Sequence, residues 1–314
     1  MSHTQLSHQA EVHQVHDKNA LQDALSIANS GDTIVLSKEG NYGDISIVNK
    51  SGIRITSKSK QLSIQATLSI NGASSEVIIE NLNIWNDNTS KKQIVLVGKQ
   101  SKNVVIRHCI LSSFPVSMNT LRDKFSGEAK NWINGIRVLA DDCDISNNIL
   151  VNIKLGIQGN GSKTVIQNNI IQYFSADAIR VQHHGIKILK NHIYDSVMSH
   201  PGETGHHEAI KLVPPENRLN AGELKGVEVI ANVIRSQGRN TYVPKHLQGI
   251  LQGISGTDGY FIDMTITDNS LVLNSDHGIV LYGAKNLRLS DNKVITAPTH
   301  YRLNPGIELY LTRT

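Results

Sequence analysis

The chain has 314 residues, a net charge of +4, 18% charged residues and 4% aromatic residues. That length builds one large domain or two small ones, and the mild charge, without a Lys/Arg cluster, argues against a nucleic-acid partner. No apolar run is long enough to cross a membrane, and two cysteines, Cys109 and Cys143, make no disulfide framework and read as buried small hydrophobes.

Residues 1–16, rich in His and Gln, read as a flexible lead to a single domain spanning 17–314. They contain no apolar core of a secretory signal. Work outside a cell would then require another exit, such as a virus particle released by lysis. Next, "KNALQDALSIANSGD" places Leu21, Ala24, Leu25 and Ala28 on one face and predicts a short amphipathic helix. The strand "TIVL" follows it.

From there two units alternate. One is an alternating strand closing on Asn and a hydrophobic, as in "VIIENLNI", "CDISNNIL", "TVIQNNII", "IKILKNHI" and "MTITDNSL". Its central residue falls at Asn81, His108, Asn147, Asn168, Asn191, Asn232, Asn269 and Asn292. The other reads small-Ile-x-apolar, as in "NGIRVLA", "DAIRVQH", "EAIKLVP", "QGILQGI" and "HGIVLYG". The closest copies lie about 22 residues apart, the period of a stacked coil. The spacing predicts an all-β chain: a single-stranded right-handed parallel β-helix, its open end plugged by the N-terminal helix. Asparagines repeated at one point of each coil predict an internal ladder of amides.

The helix followed by "GDTIVLSKEGNYGDISI" resembles the entry to right-handed parallel β-helix proteins of the pectate-lyase-like superfamily, especially the alginate lyase and chondroitinase B branch. The later run from "EAIKLVPP" to "LRLSDNKV" resembles β-helix proteins of bacteriophages and prophages. The resemblance implies a phage- or prophage-associated protein directed at a polysaccharide, a lyase-like depolymerase acting on an acidic bacterial glycan. It leaves room for other virion proteins as partners and for a homo-oligomer. Two alternatives stand beside it: a non-catalytic virion component or glycan-binding module, and a glycoside hydrolase.

The segment between an Asn unit and the next small-Ile unit is short after Asn147, Asn168 and Asn269 but long after His108, Asn191 and Asn232. Three inserts therefore leave one corner, and inserts lined up on a solenoid wall a groove. The small-Ile strands become its floor. Two residues after the small one, side chains point outward; that row reads Arg137, Gln158, Arg180, Lys211, Leu251, Val280, Glu308. The row just before the small residue reads Asn134, Leu155, Asp177, Glu208, Gln248, His277, Pro305.

A polysaccharide lyase quenches a uronate carboxylate and removes the adjacent proton. The expected catalytic set is Lys211, Arg180, Glu208 and Asp177, with His207 arriving beside them; Arg137, Gln248, His277, His206, Tyr242 and Lys245 are expected to hold substrate. In the resembled lyases an Arg or a Lys is the base, often with calcium. The resemblance thus gives that role to Lys211 or Arg180, and makes Asp177 and Glu208 metal holders or orienting groups. A hydrolase would use Asp177 and Glu208 as its two carboxylates, with Asp258 and Asp276 as further candidates. His183, His184, His206 and His207 together would suit a structural transition metal. The plainest alternative is that these charges are solvated cross-strand pairs.

Overall fold

In the computed structural model, residues 8–116, 129–203, 205–215, 222–236, 243–297 and 306–311 are described. They form a right-handed parallel β-helix. One sheet holds eleven strands and a second, of twenty strands, wraps the remaining faces. Paired strands run parallel, each matched to the coil before and the coil after. Aliphatic residues stack inside: Ile55 on Ile79, Ile79 on Ile106, Ile106 on Ile145, Ile145 on Ile166, Ile166 on Ile188. All are fully buried. The stack supplies the hydrophobic driving force that each short strand lacks alone.

The helix Lys18–Ile27 is capped by Asp17, whose side chain accepts from the Ala20 N–H at 2.9 Å, and it buries Leu21, Ala24 and Leu25. Before it, within the segment expected to be flexible, the strand Val12–Val15 pairs with Thr33–Leu36. Buried Asp32 pins this start of the chain. It accepts from the backbone N–H groups of Glu11 and Asn29, both at 2.8 Å, and lies 2.7 Å from His8 Nε2 and 3.2 Å from His13 Nε2. Burial alone would raise its pKa, but these four contacts win and hold the carboxyl far below the usual carboxylate range. A carboxylate with a depressed folded pKa stabilises above its unfolded pKa, and that stability is lost as pH falls. Asp32→Asn is therefore expected to destabilise the protein by about 1–2 kcal/mol at neutral pH. The gap to wild type in urea melts should shrink below about pH 4.

Each coil turns a corner on one left-handed residue. Asn81, His108, Asn147, Asn168, Lys190, Ala231, Asp268 and Asp291 all have φ between 54° and 60°. The amide ladder occupies the next position: Asn148, Asn169, Asn191, Asn232, Asn269 and Asn292. The expected ladder therefore mixed two columns, because Asn147 and Asn168 are corner residues and their neighbours are the rungs. Each Oδ1 accepts both the backbone N–H and the Nδ2 of the rung before, as Asn191 does from Asn169, both at 3.0 Å. Leu82 and Cys109 hold this place in earlier coils; the Cys109 N–H donates to Asn148 Oδ1. Cys109 and Cys143 are free and buried, and burial pushes their thiols up to about 12 and about 11.

The inserts do not simply wall a groove. Val116, Ala129, Trp132 and Val243 pack on the outer face of the Asn-unit strands, over Ile110, Val151, Tyr173 and Val197. This makes a second apolar layer outside the coil.

Candidate functional site

The small-Ile strands stack as expected in mid-chain. Arg137 is in register with Gln158, Gln158 with Arg180, and Arg180 with Lys211. The row before them stacks too: Gly156 N–H donates to Asp177 O and Ala178 N–H to Glu208 O, each at 3.0 Å. The small residues permit this approach; a Cβ at Gly156 would run into the Ala178 carbonyl, and one at Gly253 into that of Gly278.

One coil differs from expectation. Lys211 pairs with Ser255 and Glu208 with Gln252, so Ser255 replaces Leu251 and Gln252 replaces Gln248 in the two rows. Leu251 is instead fully buried beside His207 in the register. Gln248 sits at the insert corner, its Nε2 donating to Val243 O at 3.1 Å. The segment "QGILQGI" contains two small-Ile units, and it is the Ile of the second, Ile254, that lies over Ile210 of the preceding small-Ile unit. His277 keeps its place in the row, next after Gln252. Lys245 stands exposed on the short turn Lys245–Leu247, at the corner and not on the row. Tyr242 and the side chain of His206 lie outside the described residues.

At the centre lie Asp177, Glu208, Arg180 and Lys211. Asp177 is 3% exposed and Glu208 6%. Arg180 Nε donates to Asp177 Oδ2 at 2.6 Å, and Lys211 Nζ to Glu208 Oε1 at 2.7 Å. Each cation thus closes on the acid three residues before it, within its own rung. The carboxyl groups of Asp177 and Glu208 also share a hydrogen bond across rungs. Burial first, then Glu208, raise the Asp177 pKa to about 6, against the pull of Arg180 and Lys211. Asp177 therefore keeps its proton up to about pH 6, well above the range of an ordinary carboxyl, and gives it up as the pH reaches neutrality.

This contact disfavours the hydrolase pair. Glycosidase carboxylates stand roughly 5 Å or more apart, to leave room for the sugar or a water. It also fits calcium poorly. Calcium takes about 6–8 oxygen ligands, whereas these two carboxylates already face an ammonium and a guanidinium. Among the described residues, no group of three or more His, Cys, Asp or Glu converges on a metal position. Of the four histidines, the three with described side chains, His183, His184 and His207, do not assemble into such a group. His183 and His184 pack edge to face, and His184 Nδ1 accepts the Lys225 N–H. His207 is buried at the insert side, its Nε2 3.8 Å from Glu203 Oε1. Glu203, unmarked by any repeat, was not foreseen in the sequence.

In fold, the chain is similar to an alginate lyase from Paenibacillus sp. FPU-7, at 15% identity and a TM-score of 0.51, covering 91% of this chain and 99% of that one. Further similar structures are the A-module of a mannuronan C-5 epimerase from Azotobacter vinelandii (11% identity, TM-score 0.47, 95% and 94% covered) and the tailspike of Escherichia coli bacteriophage HK620 in complex with a pentasaccharide (12%, 0.41, 90% and 53%). At these identities the likeness is one of fold. No curated protein matches in sequence. Residues 134–314, more than half the chain, match the family described as the right handed beta helix region, and the chain belongs to that family.

Proposed function

We propose that this protein binds an acidic polysaccharide across the small-Ile rungs and cleaves it by β-elimination at the Asp177–Glu208–Arg180–Lys211 quartet. The observation that carries this reading is a buried pair of acids on successive rungs, Asp177 and Glu208, each flanked by a part-exposed cation. Elimination needs the uronate charge quenched, the neighbouring proton taken up, and the leaving oxygen protonated. Arg180 and Lys211, each held in a charge pair, suit the first task. The dyad, which ionises through about pH 6, suits the transfers of protons. This exchanges the roles expected from sequence, where a cation was the base. The phage or prophage setting, with the protein in or released with a virion, rests on the sequence resemblance and belongs to the same proposal.

The test is a panel of acidic capsule and exopolysaccharides, read by the ultraviolet absorbance of the unsaturated uronate product. Wild type should yield it with at least one glycan, and the rate should rise with pH through about 6, as Asp177 ionises. Lys211→Ala should lower the rate about a hundredfold or more. Reducing ends without that absorbance would mean hydrolysis and would overturn the proposal.

A second reading, a non-catalytic glycan-binding module, is favoured by the closure of both ion pairs. Glycan binding without any cleaved product would select it.

A further inference from the structure

The charged rungs are not equivalent. In the rungs of Asp177 and Glu208, an acid precedes the small residue and the cation three positions on closes upon it. In the rung of Arg137, the acid's place is taken by Asn134. Arg137 makes no ion pair among the described residues. Its Nε is buried without a hydrogen-bond partner there, while the Nε of Arg180 donates to Asp177. On either side in the register stand Leu96 and Gln158, neither of them acidic. The rung between Arg137 and Arg180 presents amides: Gln158 Nε2 and Asn160 Nδ2 both donate to Gln182 Oε1, at 2.9 and 3.1 Å.

We infer that Arg137 is the residue that recognises the anionic group of the glycan, two rungs from the carboxylate pair. Two rungs is roughly 10 Å at the spacing of stacked strands. The charge that sets binding preference is therefore read on a neighbouring sugar, across the amides of Gln158, Asn160 and Gln182, while the uronate above the dyad meets cations that are already paired. An anion approaching Arg180 or Lys211 must compete with an acid already in place; one approaching Arg137 does not. A carboxylate there completes a guanidinium left unmatched by its own rung. The inference rests on the reading of this face as a glycan groove.

The experiment is calorimetric titration of wild type, Arg137→Gln, Asn134→Asp and Arg180→Gln with oligouronates and their methyl esters, the esters being the uncharged controls. Asn134→Asp supplies the missing acid, so it should close Arg137 as Asp177 closes Arg180. Wild type is expected to prefer the acid form over the ester by about ten- to a hundredfold. Arg137→Gln and Asn134→Asp should both erase that preference, with ester affinity and melting temperature kept. A preference that survives Arg137→Gln but falls with Arg180→Gln would overturn the inference and leave the groove standing. Failure of wild type to bind any oligouronate in either form would overturn the groove and the inference together.

Discussion

Asn191→Ala is expected to destabilise the protein by about 3–5 kcal/mol, more than a surface asparagine and as much as a large core truncation. The Asn191 amide is fully buried. Its Oδ1 accepts the N–H and the Nδ2 of Asn169, and its Nδ2 reaches Ile166 O at 2.9 Å and Asn232 Oδ1 at 3.0 Å. Alanine removes one side chain but leaves several buried partners unmet, and unmet partners are the larger loss. Cys109→Asn is the opposite case. Its N–H already donates to Asn148 Oδ1, and its Sγ lies 3.8 Å from Ile79 O, the carbonyl an amide there would reach. The ladder then gains a rung, and stability should hold or rise. Urea melts of the two variants check both signs.

The second large effect is electrostatic. Asp177 has a raised folded pKa, about 6 against 3.8 for the free group. A raised acid binds its proton more tightly in the folded state, so stability falls as pH climbs between those values and stays reduced above them. Asp177→Asn should remove this loss. The variant is expected to be more stable than wild type by roughly 3 kcal/mol at pH 8 and close to it near pH 4, since about 1.4 kcal/mol attaches to each pKa unit. Arg180 loses its partner in the exchange but keeps water, its side chain being 33% exposed. Under the proposed chemistry the same variant loses turnover. A gain in melting temperature at alkaline pH together with dead activity would mark Asp177 as a group held at a stability cost. An equal shift at both pH values would remove the raised Asp177 pKa from the account.

The coil itself was legible because its period is written twice, once in the Asn unit and once in the small-Ile unit. What misled was local doubling. In "SNNI" and "QNNI" two asparagines stand side by side, and either could be the rung. A left-handed corner also favours Asn, since its short polar side chain tolerates positive φ, so both positions ask for the same residue. In "QGILQGI" a similar doubling put Gln248 where Gln252 belongs. The stacking of Arg180 on Lys211 follows from the period alone. The closure of each cation within its own rung does not, because it depends on side-chain rotamers that no repeat encodes. Likewise Trp132 is buried in a layer that no repeat announces.

That layer changes how the molecule holds together. In a bare solenoid each coil leans only on the two beside it, and one end can peel while the other stays intact. Trp132, Val116 and Val243 bind sideways across Ile110, Val151, Tyr173 and Val197, which belong to four successive coils. Those coils are lashed into one cooperative block and open together or not at all. Asp177 and Arg180 ride on the third of these coils, and Glu208 and Lys211 on the fourth. The middle of the rod is thereby stiffened like a splinted joint.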